Sequence, residues 1–219
     1  MIFELTARHV FPDPVLADED GLVAVGGDLH PDRLLQAYRR GIFPWFNPGD
    51  PILWWSPDPR MILYPERFRI SKSLSQRLRS GKFRVTFNQA FESVIDHCAA
   101  VPRKDQAGTW ITPDMKEAYC RLQQDGHAMS VECWAGDSLA GGLYGVCLPA
   151  AFCGESMFSL QTDASKVALA ALVSHALTEK WHFIDCQLYT AHLERLGAEK
   201  ISRTEFLRQL KIAVSCLNY

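Results

Sequence analysis

The 219-residue sequence has no long apolar run. Its most apolar helical stretch, Val167–Val173, is far shorter than the roughly 20 residues that cross a bilayer. The segment at residues 1–14 carries Glu4, Arg8 and His9, where a secretion signal needs an apolar core. We therefore expect a cytoplasmic protein with no membrane partner. A hydrophobic content of 47% with 22% charged residues is typical of one large globular domain, or of one domain with a small companion.

The sequence also lacks paired cysteines. It has seven, an odd number, and none of them form a CxxC pair. Because they lie in apolar segments, we expect buried, reduced thiols rather than disulfides or a metal site. Cys153 and Cys186 have no histidine at an informative spacing, and His182 and His192 are of the kind found in packing or on surfaces. A covalent nucleophile is therefore not favoured.

An overall positive charge is missing as well, since the formal net charge is −2. Residues 60–84 nevertheless contain eight basic residues against one acid, Glu66, which gives a local net charge of +7. Such a stripe is expected where a protein contacts phosphates, but a basic stripe alone is also typical of a solvated helix face. The candidate phosphate contacts are Arg69, Lys72, Arg77, Arg79, Lys82 and Arg84.

The organisation of the chain changes near residue 60. Pro31 and Gly41 mark the start and end of a first helix. A stretch rich in proline and tryptophan follows, and then an extended segment at 61–64. We therefore predict a small N-terminal domain at residues 1–60 and a larger domain at residues 61–219.

Helices and strands alternate in the larger part. The pattern predicts helices at 71–80, 90–101, 114–126, 163–180 (with Asp163 as N-cap) and 205–214, and strands at 83–88, 127–134, 138–148, 150–158 and 182–188, with a loop at 106–113. This order resembles an acetyltransferase-like α/β sandwich, so the expected fold class is α+β. Only one glycine lies between Cys153 and Ser165, too few for a loop that binds pyrophosphate. We therefore expect no acetyl-CoA and no other cofactor.

Eight short segments carry a closer resemblance. They are GGDL (26–29), RRGIFPWF (39–46), PILWWSPDPR (51–60), GTWI (108–111), GGLYGV (141–146), FCGESMFS (152–159), ASK (164–166) and IDCQ (184–187). In order and spacing they closely resemble the bacterial leucyl/phenylalanyl-tRNA–protein transferases. The resemblance implies transfer of leucine, phenylalanine or methionine from aminoacyl-tRNA to an N-terminal arginine or lysine, which marks the acceptor protein for degradation. It also implies a small N-terminal domain on an acetyltransferase-like domain, and we expect a monomer.

An aminoacyl ester is already activated, so the reaction needs positioning rather than a metal. Asp185 and Gln187 are two residues apart on a predicted strand and should share a face. A carboxylate there could orient the glutamine amide, whose carbonyl would accept a hydrogen bond from the attacking amine. A structural hydrogen bond is the alternative, because an acid between Ile184 and Cys186 needs a partner. Glu155, at a predicted strand end, is suited to a cationic N-terminus, in binding or in catalysis.

The resemblance also assigns binding residues. It places Trp45 and Trp110 around the 3′ adenosine, where bases stack on aromatic rings, whereas Trp54 and Trp55 are expected to pack at a domain joint. The resemblance also assigns five residues to an apolar pocket: Leu143, Phe152, Leu169, Leu172 and Ile184. Ile184 should face away from Asp185, so a shared pocket would require the sheet and helix to curve. Each of the five could instead be plain core.

Two other functions fit the same residues. One is an acetyltransferase-like aminoacyltransferase with another acceptor, such as a cell-wall peptide. The other is a catalytically silent module that binds charged tRNA or basic N-termini.

Overall fold

The computed structural model describes residues 2–6, 10–101 and 109–216, and its first sheet has four strands. The strands are β1 (Phe3–Leu5), β2 (Leu22–Gly26), β3 (Phe43–Pro44) and β4 (Leu53–Trp55), in the order β1-β2-β4-β3. Helix α1 (Pro31–Arg39) connects β2 to β3. Its proline stands at the first turn, and Gly41 follows its last residues with a φ of 76°. Both helix boundaries agree with the prediction.

The second sheet has seven strands. They are β5 (Arg60–Leu63), β6 (Arg84–Phe87), β7 (Ala128–Ala135), β8 (Ser138–Leu148), β9 (Ala151–Ser159), β10 (Phe183–Gln187) and β11 (Glu199–Ile201), in the order β11-β5-β10-β9-β8-β7-β6. Neighbouring strands are antiparallel, apart from the parallel pair β9 and β10.

Six helices cover this sheet. They are α2 (Lys72–Arg79), α3 (Phe91–Ala100), α4 (Pro113–Gln124), α5 (Ala164–Thr178), α6 (Ala191–Arg195) and α7 (Arg203–Ser215). Helix α5 packs on one face with α2 beside it, and α3, α4 and α7 pack on the other. The sheet therefore separates two apolar clusters, and alternate residues of its strands enter one or the other.

The indoles of the proline-rich stretch hold the small sheet together. Trp54 is fully buried, with its ring edge-on to Phe11 at a centroid distance of 4.8 Å. Its Nε1 donates a hydrogen bond to the carbonyl of Gly26 at 2.8 Å, and Trp55 Nε1 donates to the carbonyl of Trp45 at 2.6 Å. Trp54 and Trp55 thus have packing roles, as predicted.

The predicted helices and strands of the larger part are present, and the α+β fold class is confirmed. The pattern missed α6 and β11, which are short. Asp163 occupies the N-cap position of α5, as predicted. It has a φ of 71°, however, and its carboxylate accepts a hydrogen bond from Lys166 Nζ at 2.8 Å and makes no capping hydrogen bond. Part of the predicted loop at 106–113 lies outside the described residues.

Three further observations concern the expectations from composition. All seven cysteines lie within the described residues and are free thiols, each buried or partly buried.

Among the helices of the described ranges, none is long and apolar enough to cross a membrane. The chain passes from the first sheet to the second between Trp55 and Arg60, and the domain boundary near residue 60 stays a prediction.

Candidate active site

Two β-bulges shape the centre of the large sheet. The β8–β9 register skips Glu155, which lies in the middle of β9 and not at a strand end as predicted. The β10–β5 register skips Cys186, and the next residue, Gln187, has a φ of 61°. A bulge redirects side chains and is common beside active sites. Both predicted polar residues therefore leave the regular alternation of their strands.

A cavity lies where β9 and β10 separate. These strands pair over three residues only, Phe183–Asp185 with 151–153. Beyond this point a cavity of about 410 Å³ lies between them, with α5 and α6 in its wall. Its apolar lining is Leu143, Phe152, Met157, Leu169, Leu172, Ile184, Leu188 and Leu193, and its polar lining includes Glu155, Asp185, Gln187, Thr190 and His192.

The structure brings the five predicted pocket residues together. Leu143, Phe152, Leu169, Leu172 and Ile184 are all buried, and all line this cavity. Ile184 belongs to the apolar cluster on the α5 face, whereas its neighbour Asp185 bonds to groups on the other face. Ile184 and Asp185 nevertheless line one cavity, at the gap between the strands. The expected curvature of the sheet and helix stays a prediction.

Glu155 is the most strongly perturbed acid of the site. Its Oε1 accepts a hydrogen bond from Gln187 Nε2 at 2.7 Å, and its Oε2 accepts one from the Tyr119 hydroxyl at 2.9 Å. The hydroxyls of Tyr119 and Tyr38 are also hydrogen-bonded to each other. Burial raises the pKa of the Glu155 carboxyl from 4.5 to about 7, although hydrogen bonds from the two tyrosines and the glutamine oppose this rise. Glu155 therefore exchanges a proton near neutral pH.

Asp185 has a different partner from the one expected. It receives two hydrogen bonds from the Arg60 guanidinium, from Nε at 2.8 Å and from Nη2 at 2.7 Å, and both side chains are 1% exposed. Its Oδ1 also accepts the backbone N–H of Gln187 at 2.9 Å. The prediction that Asp185 orients the Gln187 amide is therefore wrong, because that amide bonds to Glu155. Asp185 holds the backbone of Gln187 instead.

The basic stripe lies on α2, β6 and the segments beside them. Arg69, Lys72, Arg79, Lys82 and Arg84 are exposed. Arg77 is partly buried, with its Nε 3.8 Å from the carboxylate of Asp163, which also binds Lys166. Lys166 is one helical turn before Leu169 in the cavity wall, so the stripe meets α5, one of the helices that line the cavity. Arg60 is buried against Asp185 and Arg67 is paired with Glu199, so these two do not extend the stripe.

The two tryptophans predicted to bind adenosine lie elsewhere. Trp110 is 5% exposed and belongs to an apolar core cluster. Trp45 is partly buried, and its ring centroid is 6.1 Å from that of Trp55. Neither ring lies in the cavity wall that the described residues form. Their contact with a 3′ adenosine stays a prediction.

Comparison with known proteins identifies the family. The sequence pattern described as "Leucyl/phenylalanyl-tRNA protein transferase" matches residues 62–211, and the pattern of its N-terminal domain matches residues 27–58. The chain belongs to the leucyl/phenylalanyl-tRNA–protein transferase family. A relative with this name from Christiangramia forsetii is 54% identical over 95% of this chain and 100% of its own length. Another from Solidesulfovibrio magneticus is 56% identical over 97% of this chain and 86% of its own length.

Solved structures share a more distant likeness. A GCN5-related N-acetyltransferase from Kribbella flavida has a TM-score of 0.41 at 9% identity and covers 78% of this chain and 60% of its own. The structure of L-PGS from Bacillus licheniformis has a TM-score of 0.44 at 9% identity and covers 89% of this chain and 73% of its own.

Three residues of this family member's site were not found from the sequence. Tyr38 and Tyr119 lie in α1 and α4, where tyrosine at an apolar position is indistinguishable from ordinary core. Arg60 was counted with the basic stripe, although it is the partner that a buried Asp185 requires. The requirement for a partner was readable from the flanking apolar residues, but its identity was not.

Proposed function

We propose that the protein is an aminoacyltransferase that moves leucine, phenylalanine or methionine from aminoacyl-tRNA to the N-terminal arginine or lysine of an acceptor protein. One observation carries the proposal. The hydrogen-bonded pair Glu155–Gln187 stands beside an apolar cavity, at the gap between two separating strands. The cavity would hold the side chain of the donor amino acid, and the polar pair would hold the acceptor amine.

The cavity has the character required for the donor. It measures about 410 Å³, and its deep wall is formed by leucine, isoleucine and phenylalanine side chains. Apolar cavities discriminate by shape, at about 1–3 kcal/mol per methylene group. We therefore expect it to accept several unbranched apolar side chains and to disfavour β-branched ones modestly.

The polar pair suits the attacking amine. The amine nitrogen attacks the ester carbonyl, an amide bond forms, the carbon–oxygen bond to the ribose breaks, and a hydroxyl remains on the tRNA. The amine loses a proton in this step, and we assign Glu155 as its acceptor, because a carboxyl with a pKa of about 7 is matched to neutral pH. Glu155 then returns this proton to the ribose oxygen as the carbon–oxygen bond breaks. Gln187 donates its amide N–H to Glu155, and we assign its carbonyl oxygen to the amine. Asp185 positions Gln187 through its backbone.

The tRNA would be held by charge and stacking. We assign the exposed side chains of the basic stripe to phosphates of the acceptor end, and Trp45 and Trp110 to the 3′ adenosine. We also propose that the enzyme acts as a monomer in the cytoplasm, and that transfer marks the acceptor for degradation.

The test is transfer from radiolabelled leucyl-tRNA to peptides that differ only in their first residue. We expect labelling of peptides that begin with arginine or lysine, and none of peptides that begin with alanine or glutamate. The matched control is the arginine peptide with an acetylated α-amine, which removes the nucleophile and keeps the side chain. Labelling of a branched cell-wall peptide alone would favour another acceptor. Binding of leucyl-tRNA without any transfer would favour a silent module, and either result would contradict the proposal.

A further inference from the structure

The Phe152 ring of the cavity wall contacts two residues that do not line the cavity. Trp181 stacks parallel to it, with a centroid distance of 5.8 Å and an interplanar angle of 3°. Gly145 approaches the edge of the ring, because a methyl group in place of its hydrogen would lie 2.6 Å from Phe152 Cζ. The ring is fully buried in this slot. Offset parallel stacking is a preferred arrangement of aromatic rings and stabilises the Phe152 ring in this position.

Gly145 and Trp181 are themselves closely packed. A methyl group on Gly145 would also lie 2.1 Å from the carbonyl oxygen of Cys153, so only glycine fits between the sheet backbone and the ring. Trp181 is 8% exposed and lies directly after α5, where its backbone N–H donates a hydrogen bond to the carbonyl of Ala176 at 2.8 Å. His175 stands edge-on behind the indole at 5.2 Å. The indole fills the volume next to the face of the Phe152 ring, so a smaller residue at position 181 would open space for that ring.

We propose that Gly145 and Trp181 set the depth of the apolar cavity, and with it the preference among donor amino acids, by fixing the Phe152 ring. This inference rests on the proposed function, since it concerns the side chain of the transferred amino acid. Both residues act through Phe152 and are positioning residues, not substrate contacts. A smaller residue at position 181 would let the ring move back and deepen the cavity. A deeper cavity favours phenylalanine over leucine.

The experiment compares the ratio of kcat/KM for phenylalanyl-tRNA to that for leucyl-tRNA. We expect Trp181→Leu to raise this ratio about tenfold, the lower end of what one methylene of cavity space is worth. Trp181→Phe keeps a ring in the slot and should lie between the wild type and Trp181→Leu. If Trp181→Leu does not fold, Trp181→Phe decides the question, because its ratio must shift in the same direction.

The matched control is Trp54→Leu, which removes a fully buried indole from the small sheet. It should lower thermal stability and leave the donor ratio unchanged. The proposal would be contradicted if the kcat/KM ratio of the Trp181 variants equalled that of the wild type, or if Trp54→Leu shifted this ratio equally.

A second readout separates the slot from the acceptor chemistry. Unreactive leucyl- and phenylalanyl-adenosine amides report the cavity alone, so their affinity ratio should shift with Trp181→Leu as the kinetic ratio does. Failure of transfer to arginine or lysine peptides would contradict the proposed function, while the affinity ratio would still decide whether the slot sets cavity depth. An affinity ratio equal to that of the wild type would overturn the inference.

Discussion

Glu155 shows how three surrounding side chains set the protonation of one carboxylate. Burial alone favours the neutral acid, because a charge is poorly solvated inside the protein. Hydrogen bonds from the hydroxyls of Tyr38 and Tyr119 and from the amide of Gln187 favour the charged form, and the balance leaves the pKa near 7. A carboxyl with this pKa can accept a proton from an amine near neutral pH and release it afterwards.

At the residue scale we predict the effect of Tyr119→Phe on the pH profile. If Glu155 must be ionised, kcat/KM for an arginine peptide rises with pH through about 7. Removing the Tyr119 hydroxyl removes a hydrogen bond to the carboxylate, so the pKa of Glu155 rises. The rising part of the pH profile (its acid limb) should then move to higher pH. The value of kcat/KM should be reduced below neutral pH and should recover well above it. Kinetics from about pH 5 to 9 measure this shift.

The matched control for this prediction is Tyr64→Phe. The Tyr64 hydroxyl accepts a hydrogen bond from Gln209 Nε2 at 2.7 Å, on α7. Its loss should leave the acid limb in place. Titration of the peptide amine is the same for every variant, so it does not contribute to a difference between them. If the acid limb of Tyr119→Phe lies at the same pH as that of the wild type, Glu155 is not the proton acceptor.

At the element scale, the two bulges and the short β9–β10 ladder create the site. A regular β9 would place Glu155 by strict alternation, and a regular β10 would do the same for Gln187. The extra residue in each strand redirects the two side chains until they meet at 2.7 Å. The end of the ladder then leaves the space that becomes the cavity.

The basic residues of helix α2 and strand β6 allow a prediction about the salt dependence of tRNA binding. If the exposed cations of the stripe contact phosphates, Lys72→Gln or Arg79→Gln should each flatten the slope of log K for tRNA against log salt by about one. The loss should be equal for every tRNA, because phosphates carry no sequence information. Filter binding or fluorescence anisotropy at several salt concentrations measures the slope.

The control for the stripe is Arg121→Gln on α4. Arg121 is an exposed helix cation, paired with Glu117 one turn away. It matches the stripe residues in exposure and charge but lies on another helix, so its loss should leave the slope unchanged. Equal slopes for the wild type and all the stripe variants would mean that the stripe does not contact phosphates and is a solvated helix face.

At the scale of the whole molecule, the Arg60–Asp185 pair connects both sheets with α7. It bridges β5 and β10, and the Arg60 guanidinium lies 4.8 Å from the ring centroid of Phe43 in the small sheet and 4.5 Å from that of Phe206 in α7. A buried charge that loses its partner is strongly destabilising, by about 3–5 kcal/mol. The pair therefore maintains the fold around the site as well as the position of Gln187.

We predict that Asp185→Ala lowers the free energy of unfolding by about 3–5 kcal/mol, because it leaves the guanidinium buried and unpaired. The double variant Arg60→Met, Asp185→Asn should recover most of this loss, since no uncompensated charge remains. Its asparagine oxygen can still accept the Gln187 N–H, so turnover should recover as well. Chemical denaturation and transfer kinetics measure the two effects. If the double variant recovers its stability but not its turnover, the charge of Asp185 contributes to the reaction itself.

Local sequence patterns were enough to predict most of the helices and strands and five apolar residues of the cavity. Periodicity and turn residues predicted α1 and the elements of the larger part apart from α6 and β11, because each depends on residues close in the chain. The short motifs grouped five apolar residues that the structure brings into one cavity, and the apolar neighbours of Asp185 showed that it needs a partner.

Tertiary structure decided which groups meet. Arg60 and Asp185 are 125 positions apart, and Gln187 and Glu155 are 32 apart, so strand register and not local pattern chooses these partners. The bulges also belong to the pairing of strands, and a one-residue slip changes the face that a side chain occupies. The pKa of Glu155 follows from this packing, because burial and its hydrogen bonds exist only once the strands and α4 have come together.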